Sequence, residues 1–352
     1  MTKIVFNLSY LDEYNDTDYS DFEDNASPCH QDPVGLNKGA LISTYSAVCF
    51  LSLLGNTLVI YVVCSMKRRR TSTDVYLMHL AVADLLFSLT LPFWAVYINS
   101  QWIFGTFMCK LLSGLQEATF YGGVLLLACI SVDRYLAIVK ATQVISQKRH
   151  LVGVVCGGVW LGAGLLSLPI LVQREAFEAE SSGELVCHEN LTAETMGEWR
   201  VGVRVLRHTV GFFLPLAVMI FCYGFTMATL YRGRNSQKHK VMRVILCVVL
   251  AFVVCWLPNN VTVLVDTLMR GGLMEETCDF RNRVELALQA TQVLAFLHCA
   301  VNPILYAFIG QKFRNQLLSA LFKHGLISKK VLSTYRRGSI HSSNSRNTSV
   351  TL

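Results

Sequence analysis

The chain has 352 residues, of which 53% are hydrophobic and only 16% charged. So few charges do not coat a soluble domain of this size, which excludes an ordinary water-soluble enzyme as the first reading and points to a membrane protein. The formal net charge of +7 carries no nucleic-acid signal, because it averages an acidic set of segments with a basic one.

Seven mainly apolar windows long enough to span a bilayer lie at 40–66, 74–98, 109–139, 150–173, 200–230, 241–269 and 284–309. The segments 66–73, 140–150, 231–243 and the tail from 311 hold 4, 3, 5 and 8 lysines and arginines and no acid. The alternating regions 1–39, 99–108, 174–199 and 270–283 together hold 6 basic residues and 18 acids. By the positive-inside rule the basic set faces the cytoplasm, with the N-terminus outside and the C-terminus inside at the plasma membrane. The predicted fold class is an all-α membrane protein, a seven-transmembrane helix bundle with a short amphipathic helix after the seventh span. Its parts are an acidic arm at 1–39, the bundle at 40–309, the amphipathic helix at 310–324 and a tail at 325–352.

The arm lacks the long apolar core of a cleavable signal peptide, so the first helix is expected to act as an uncleaved anchor. It sets Tyr10, Tyr14 and Tyr19 among acids that include Asp21 and Glu23. Such a stretch is either a solvating tail or an electrostatic docking arm for a basic partner, with tyrosines in a context that sulfation favours. Asn7, Asn15, Asn25 and Asn190 head glycosylation triplets on the outer side, whereas Asn260-Val261-Thr262 lies inside a helix and is unusable.

The first two windows carry Asn56 and Asp84 in otherwise apolar runs, and an ionisable group at that depth is a functional candidate by default. Thr90-Leu91-Pro92 places a proline that kinks the second helix. The third window, 109–139, measures about 46 Å as a helix, longer than the ~30 Å hydrocarbon core. It begins at Cys109 and ends in Asp133-Arg134-Tyr135 followed by four apolar residues, so one element touches both compartments. Trp160 and Pro169 in the fourth window read as plain packing. The fifth opens with Arg200, Arg204, Arg207 and His208 on one helical face, after an acidic loop. Cys255-Trp256-Leu257-Pro258 and Asn302-Pro303-Ile304-Leu305-Tyr306 put prolines deep in the last two windows, where they create hinges. Phe313, Leu317, Leu318, Leu321 and Phe322 alternate with Lys312, Arg314 and Lys323 as an amphipathic helix for the inner leaflet.

Of twelve cysteines, eight lie in apolar windows and read as small core residues. Cys29, Cys109, Cys187 and Cys278 fall one in each outer region, which makes two bridges with three connectivities open. The tail offers Ser339, Ser342, Ser343, Ser345, Thr348 and Ser349 to kinases, and Val350-Thr351-Leu352 to a PDZ groove.

Asp133-Arg134-Tyr135 at the inner end of the third of seven windows, with Asp84, Trp256, Pro258, Asn302, Pro303 and Tyr306 in their segments, resembles the rhodopsin-like G-protein-coupled receptors. Thr90-Leu91-Pro92 is similar to the chemokine receptors among them. The stretches Phe120 to Ser131, Asp266 to Arg270 and Ala307 to Arg314 are similar to the CXC-type, interleukin-eight-like neutrophil receptors for glutamate-leucine-arginine chemokines. The resemblance covers about residues 25–325. It implies bridges Cys109–Cys187 and Cys29–Cys278, and G-protein coupling through Asp133, Arg134, Tyr135, Trp256, Pro258, Asn302, Pro303 and Tyr306.

The resemblance also implies ligand contacts at Tyr10, Tyr14, Tyr19, Asp21, Glu23, Trp94, Arg200, Arg204, Arg207, Asp266, Glu285 and Gln292. Gln292 stands where these receptors commonly have a glutamate, so Asp266 or Glu285 substitutes for that anchor. Asn56, Asp84, His298 and Asn302 form the polar cluster that often holds sodium in resting receptors; Thr119 and Gly123 depart from its usual polar set. No other cofactor and no metal are expected.

The implied partners are basic chemokines, an inhibitory heterotrimeric G protein, receptor kinases with arrestin, membrane lipid and a PDZ protein. The competing classes are a decoy that only internalises chemokine, a seven-helix receptor for another peptide, a transporter and an intramembrane enzyme. A transporter calls for paired repeats, and an enzyme for a motif such as His-Glu-x-x-His or Gly-x-Ser-x-Gly; the chain has none of these.

Overall fold

A computed structural model describes residues 36–65, 71–140, 149–179, 183–189, 193–232, 236–270, 273–274, 277–309, 311–325, 327–328 and 330. Seven helices in it are long and apolar enough to cross a membrane: Lys38–Ser65, Ser72–Asn99, Gly105–Ile138, Leu151–Gln173, Val201–Tyr231, Ile245–Met269 and Cys278–Tyr306. They are the first to seventh spans below. Hydrocarbon offers backbone groups no partner, so helices that satisfy themselves are the natural outcome for such runs. The surface agrees with a lipid solvent: Phe50, Leu165 and Ile220 are each more than half exposed on the outside of the bundle.

Several spans depart from a plain helix, the fourth, with Pro169 inside it, among them. The second starts on a capping box, in which Thr71 Oγ1 accepts from Asp74 N while Asp74 Oδ2 accepts from Thr71 N at 2.7 Å. Its helix ends at Ser88 and restarts at Leu91 with Pro92 in the first turn, as the missing proline N–H requires, and Thr90 Oγ1 donates to Phe87 O at 2.7 Å across the break. The fifth is interrupted by a π-turn at Thr209–Phe213, and the sixth carries Pro258 within its helix. The seventh breaks at Leu297, between Cys278–Phe296 and His298–Ile309, and the second of these pieces contains Pro303.

Between the fourth and fifth spans, β1 (Arg174–Glu178) and β2 (Leu185–Glu189) pair antiparallel, with Arg174 opposite Glu189 and Ala176 opposite Cys187. The disulfide Cys109–Cys187 fastens this hairpin to the outer end of the third span. Trp102, with no exposed surface, packs against the bridge and donates from Nε1 to Gly105 O at 2.9 Å. Trp160, expected to be plain packing, also donates from Nε1 to His79 Nδ1 at 3.2 Å and so ties the fourth span to the second. A further helix, Gln311–Lys323, follows the seventh span and sets Phe313 and Leu317 against the core.

Two glycines allow helices to meet closely. A Cβ on Gly55 would lie 2.7 Å from Pro303, and one on Gly211, in the π-turn, would lie 2.8 Å from Phe120 and 2.9 Å from Tyr121. Gly211→Ala is therefore expected to lower stability by about 1–3 kcal/mol through overpacking. Gly224→Ala meets nothing within 4 Å and is expected to be neutral or slightly stabilising. Thermal unfolding of the two variants in detergent checks this; equal melting temperatures would count against the close contact.

Candidate functional site

Charge is gathered at the outer end of the bundle. Arg204, Arg207 and His208 follow helical spacing on the fifth span, and each is met from another helix. Arg204 Nη1 lies 2.7 Å from Asp266 Oδ2 and 2.9 Å from Thr267 Oγ1, both on the sixth span, and Asp266 is 2% exposed. Arg207 Nε lies 3.3 Å from Glu117 Oε1 of the third span, and its guanidinium carbon stands 5.0 Å over the Phe120 ring. His208 Nδ1 is 2.8 Å from Asn260 Oδ1, whose amide donates to Trp256 O at 2.9 Å. The Phe120 and Trp256 rings approach to 4.4 Å between centroids, below the charged layer.

Arg174, at the start of the hairpin, adds a third guanidinium, 3.9 Å from Glu189 and donating to Cys187 O at 3.3 Å. Burial pulls its guanidinium below the usual arginine range, and the charges of Glu189 and Glu117 oppose that shift. Trp94 packs with Tyr97 and Trp102 in the outer aromatic layer. Glu285 and Gln292 are exposed on the seventh span, where Leu36 N donates to the neighbouring Gln289.

Arg200 lies in the helix Ala193–His208, but its side chain is outside the described set. Tyr10, Tyr14, Tyr19, Asp21, Glu23, Cys29, Asn7, Asn15, Asn25, Asn190, Ser339, Ser342, Ser343, Ser345, Thr348 and Ser349 lie outside the described residues altogether. Cys278 is disulfide-bonded.

At mid-depth the polar cluster is assembled around Asp84, which is 2% exposed. Asn302 Nδ2 donates to Asp84 Oδ2 at 2.8 Å, and His298 Nε2 lies 3.4 Å from Oδ1. His298 Nδ1 faces Ala295 O at 2.6 Å, which turns Nε2 toward the carboxylate. Asn56 turns its amide nitrogen to Cys299 O at 2.9 Å and to Ser52 instead of to Asp84. Thr119 Oγ1 donates into its own helix, to Leu115 O and Gln116 O at 2.9 Å, and Gly123 brings no oxygen.

A hard cation such as sodium asks for converging oxygens. Here both carboxylate oxygens are faced by nitrogen, so the donor set does not fit a sodium ion. Among the described residues no group of three or more His, Cys, Asp or Glu side chains could hold a metal.

At the inner end Arg134 is bound to its neighbour Asp133 through both Nε and Nη2. Ser72 of the second span closes the arrangement, donating to Asp133 Oδ2 at 3.0 Å and accepting from Arg134 Nη2 at 3.3 Å. Tyr135 packs on Phe221 and Phe225 of the fifth span. Trp256 and Tyr306 are buried at 3% exposure, and Asn302 at 5%.

Sequence reasoning missed several of these groups, among them Arg174, Asn260, Glu117 and Ser72. Glu117 is an acid inside an apolar run, the same signal that singled out Asp84, and only its nearness to the outer end disguised it. Ser72 carried no signal, because a serine at a helix start reads as an ordinary cap.

A family model for the 7 transmembrane receptor (rhodopsin family) matches residues 55–306. The C-X-C chemokine receptor type 1 of Homo sapiens is 51% identical over 333 residues, covering 95% of each chain. The type 1 receptor of Macaca mulatta is 52% identical over 321 residues, 91% of each. The C-X-C chemokine receptor type 2 of Bos taurus is 51% identical over 326 residues, 93% of this chain and 90% of its own.

The Arg204 and Asp266 pair generates a measurable expectation. A double-mutant cycle with Arg204→Ala and Asp266→Ala, read as thermal stability in detergent, is expected to show a coupling of about 1–3 kcal/mol, because each single change strands a desolvated charge. Additivity within ~0.5 kcal/mol would show that the two do not act as a pair.

Proposed function

Because this chain belongs to the rhodopsin family of seven-transmembrane receptors, and within it to the C-X-C chemokine receptors, we propose that it is a cell-surface receptor for chemokines bearing a glutamate-leucine-arginine segment. It is a receptor and not an enzyme. In this reading the arm and the basic ends of the helices fix its orientation, N-terminus outside and C-terminus in the cytoplasm. The acidic arm, with sulfation at Tyr14 or Tyr19, steers a basic chemokine body and chiefly sets the on-rate. The chemokine's N-terminal segment then enters the outer end of the bundle, where its glutamate meets the arginine row of the fifth span and its arginine meets Asp266. Binding drives an inhibitory heterotrimeric G protein and leukocyte chemotaxis.

The observation that carries a signalling reading over a decoy is the inner lock of Asp133, Arg134 and Ser72. A receptor that only internalised ligand has no use for an arginine held ready at the cytoplasmic end. Kinases acting on Ser339, Ser342, Ser343, Ser345, Thr348 and Ser349 recruit arrestin in this reading, the helix Gln311–Lys323 lies on the inner leaflet, and the last residues offer a PDZ ligand. A second bridge, Cys29 to Cys278, joins the arm to the seventh span.

The test is the cyclic-AMP response of transfected cells to a chemokine panel, for wild type and Arg134→Ala. Wild type is expected to respond to glutamate-leucine-arginine chemokines. The variant should bind them with near-normal affinity, since Arg134 lies at the opposite end of its helix, and give no response. A fully responding variant would refute the role of Arg134, and a wild type silent to the whole panel would refute the reading.

A further inference from the structure

Glu117 is buried at 7% exposure in the third span, and a carboxylate at that depth is held only by its partners. Its ion pair with Arg207 presses a guanidinium onto Phe120, whose other neighbours leave it little freedom: Trp256 is 4.4 Å away between centroids, and Gly211 has no Cβ to keep the fifth span at a distance. The Arg207 side chain is 34% exposed, so an anion arriving from outside reaches it, whereas Glu117 sits behind it. Arg204 is differently placed. Its guanidinium is bound to Asp266 and Thr267, a strut between the fifth and sixth spans.

We propose that Glu117 is an internal stand-in for the ligand's acidic side chain: it occupies Arg207 in the free receptor, and the incoming carboxylate takes Arg207 from it by exchange of ion pairs. This rests on the reading of the receptor given above and names which arginine receives the ligand's glutamate. The exchange adds one carboxylate to the site, so Glu117 needs another cation nearby. The charge of Glu117 already acts on the guanidinium of Arg174, so a second cation stands in the surroundings of the displaced carboxylate. Arg207, drawn outward, no longer holds Phe120, and Phe120 in turn frees Trp256, two residues before Pro258 inside the sixth helix. Glu117 is thus a positioning residue that sets both the resting state and the preference for an acidic ligand.

The experiment measures ligand-free GTP exchange and chemokine potency for Glu117→Gln and Arg207→Gln in membranes, at matched surface expression. Two ligands are used: a chemokine with an N-terminal glutamate-leucine-arginine segment, and the same chemokine with that glutamate changed to glutamine. Both receptor variants should raise ligand-free exchange, since each loosens the clamp on Phe120. On the ligand axis they should part. Glu117→Gln should raise potency for the natural chemokine by about tenfold, a coupling of ordinary size for linked sites, and the glutamine chemokine should lose that gain. Arg207→Gln should lower potency for the natural chemokine and respond alike to both ligands.

Wild-type exchange together with unchanged or reduced potency in Glu117→Gln would overturn the proposal. Should that variant fail to reach the surface, Arg207→Gln decides alone: a retained preference for the natural chemokine would overturn it as well. If no chemokine activates the wild type, the functional reading fails, and ligand-free exchange still tests the clamp.

Discussion

The structure depends on one constraint: a charge buried in a bundle surrounded by hydrocarbon must be met by a partner within the protein. Four carboxylates obey it at four depths. Asp266 is met by Arg204, Glu117 by Arg207, Asp84 by Asn302 and His298, and Asp133 by Arg134 and Ser72. Three of these links run between different spans, and at the fourth Ser72 brings in a second helix. The apolar core supplies cohesion without direction, whereas each link holds a particular pair of helices in a particular register. Removing a partner strands a charge, so exchange of partners is the cheap route from one arrangement to another.

Helices that exchange partners also need places to bend. The break after Ser88, the π-turn at Thr209–Phe213, Pro258 and the break at Leu297 lie in four different spans, next to the polar groups that hold them. A packed interior favours discrete arrangements over continuous deformation. Local change at Arg207 and Phe120 is therefore suited to pass through Trp256 into the swing of the sixth span, and in the proposed reading the inner lock at Arg134 is the element whose release a G protein reads.

Much of this was legible in the sequence. The spans follow from apolar run length alone, and Asp84 stood out because lipid makes such a residue expensive, whereas Asp133-Arg134-Tyr135 stood out through its resemblance to the rhodopsin-like receptors. The ends were less secure. The window drawn from 284 misses the turn from Cys278 to Arg283, a charged stretch that continues the seventh helix, and 109 misses Gly105 to Met108, which lead the third helix in from Trp102. The hairpin of β1 and β2 left no apolar alternation strong enough to notice. The π-turn left none either, since the extra residue shifts the phase of a span that is apolar on most of its faces. Partner choice was the least legible. Arg204 and Asp266 were read as separate ligand contacts, and only the azimuth of two helices shows that they face each other.

The central claim is that rearrangement of ion pairs at the outer end opens the lock at the inner end. Its most direct measurement is the distance between spin labels at position 140, after the third span, and position 240, ahead of the sixth, with and without a glutamate-leucine-arginine chemokine. The account predicts that saturating chemokine populates a longer distance than the free receptor shows. A distance distribution unchanged by a chemokine that is bound at the outer end would contradict it.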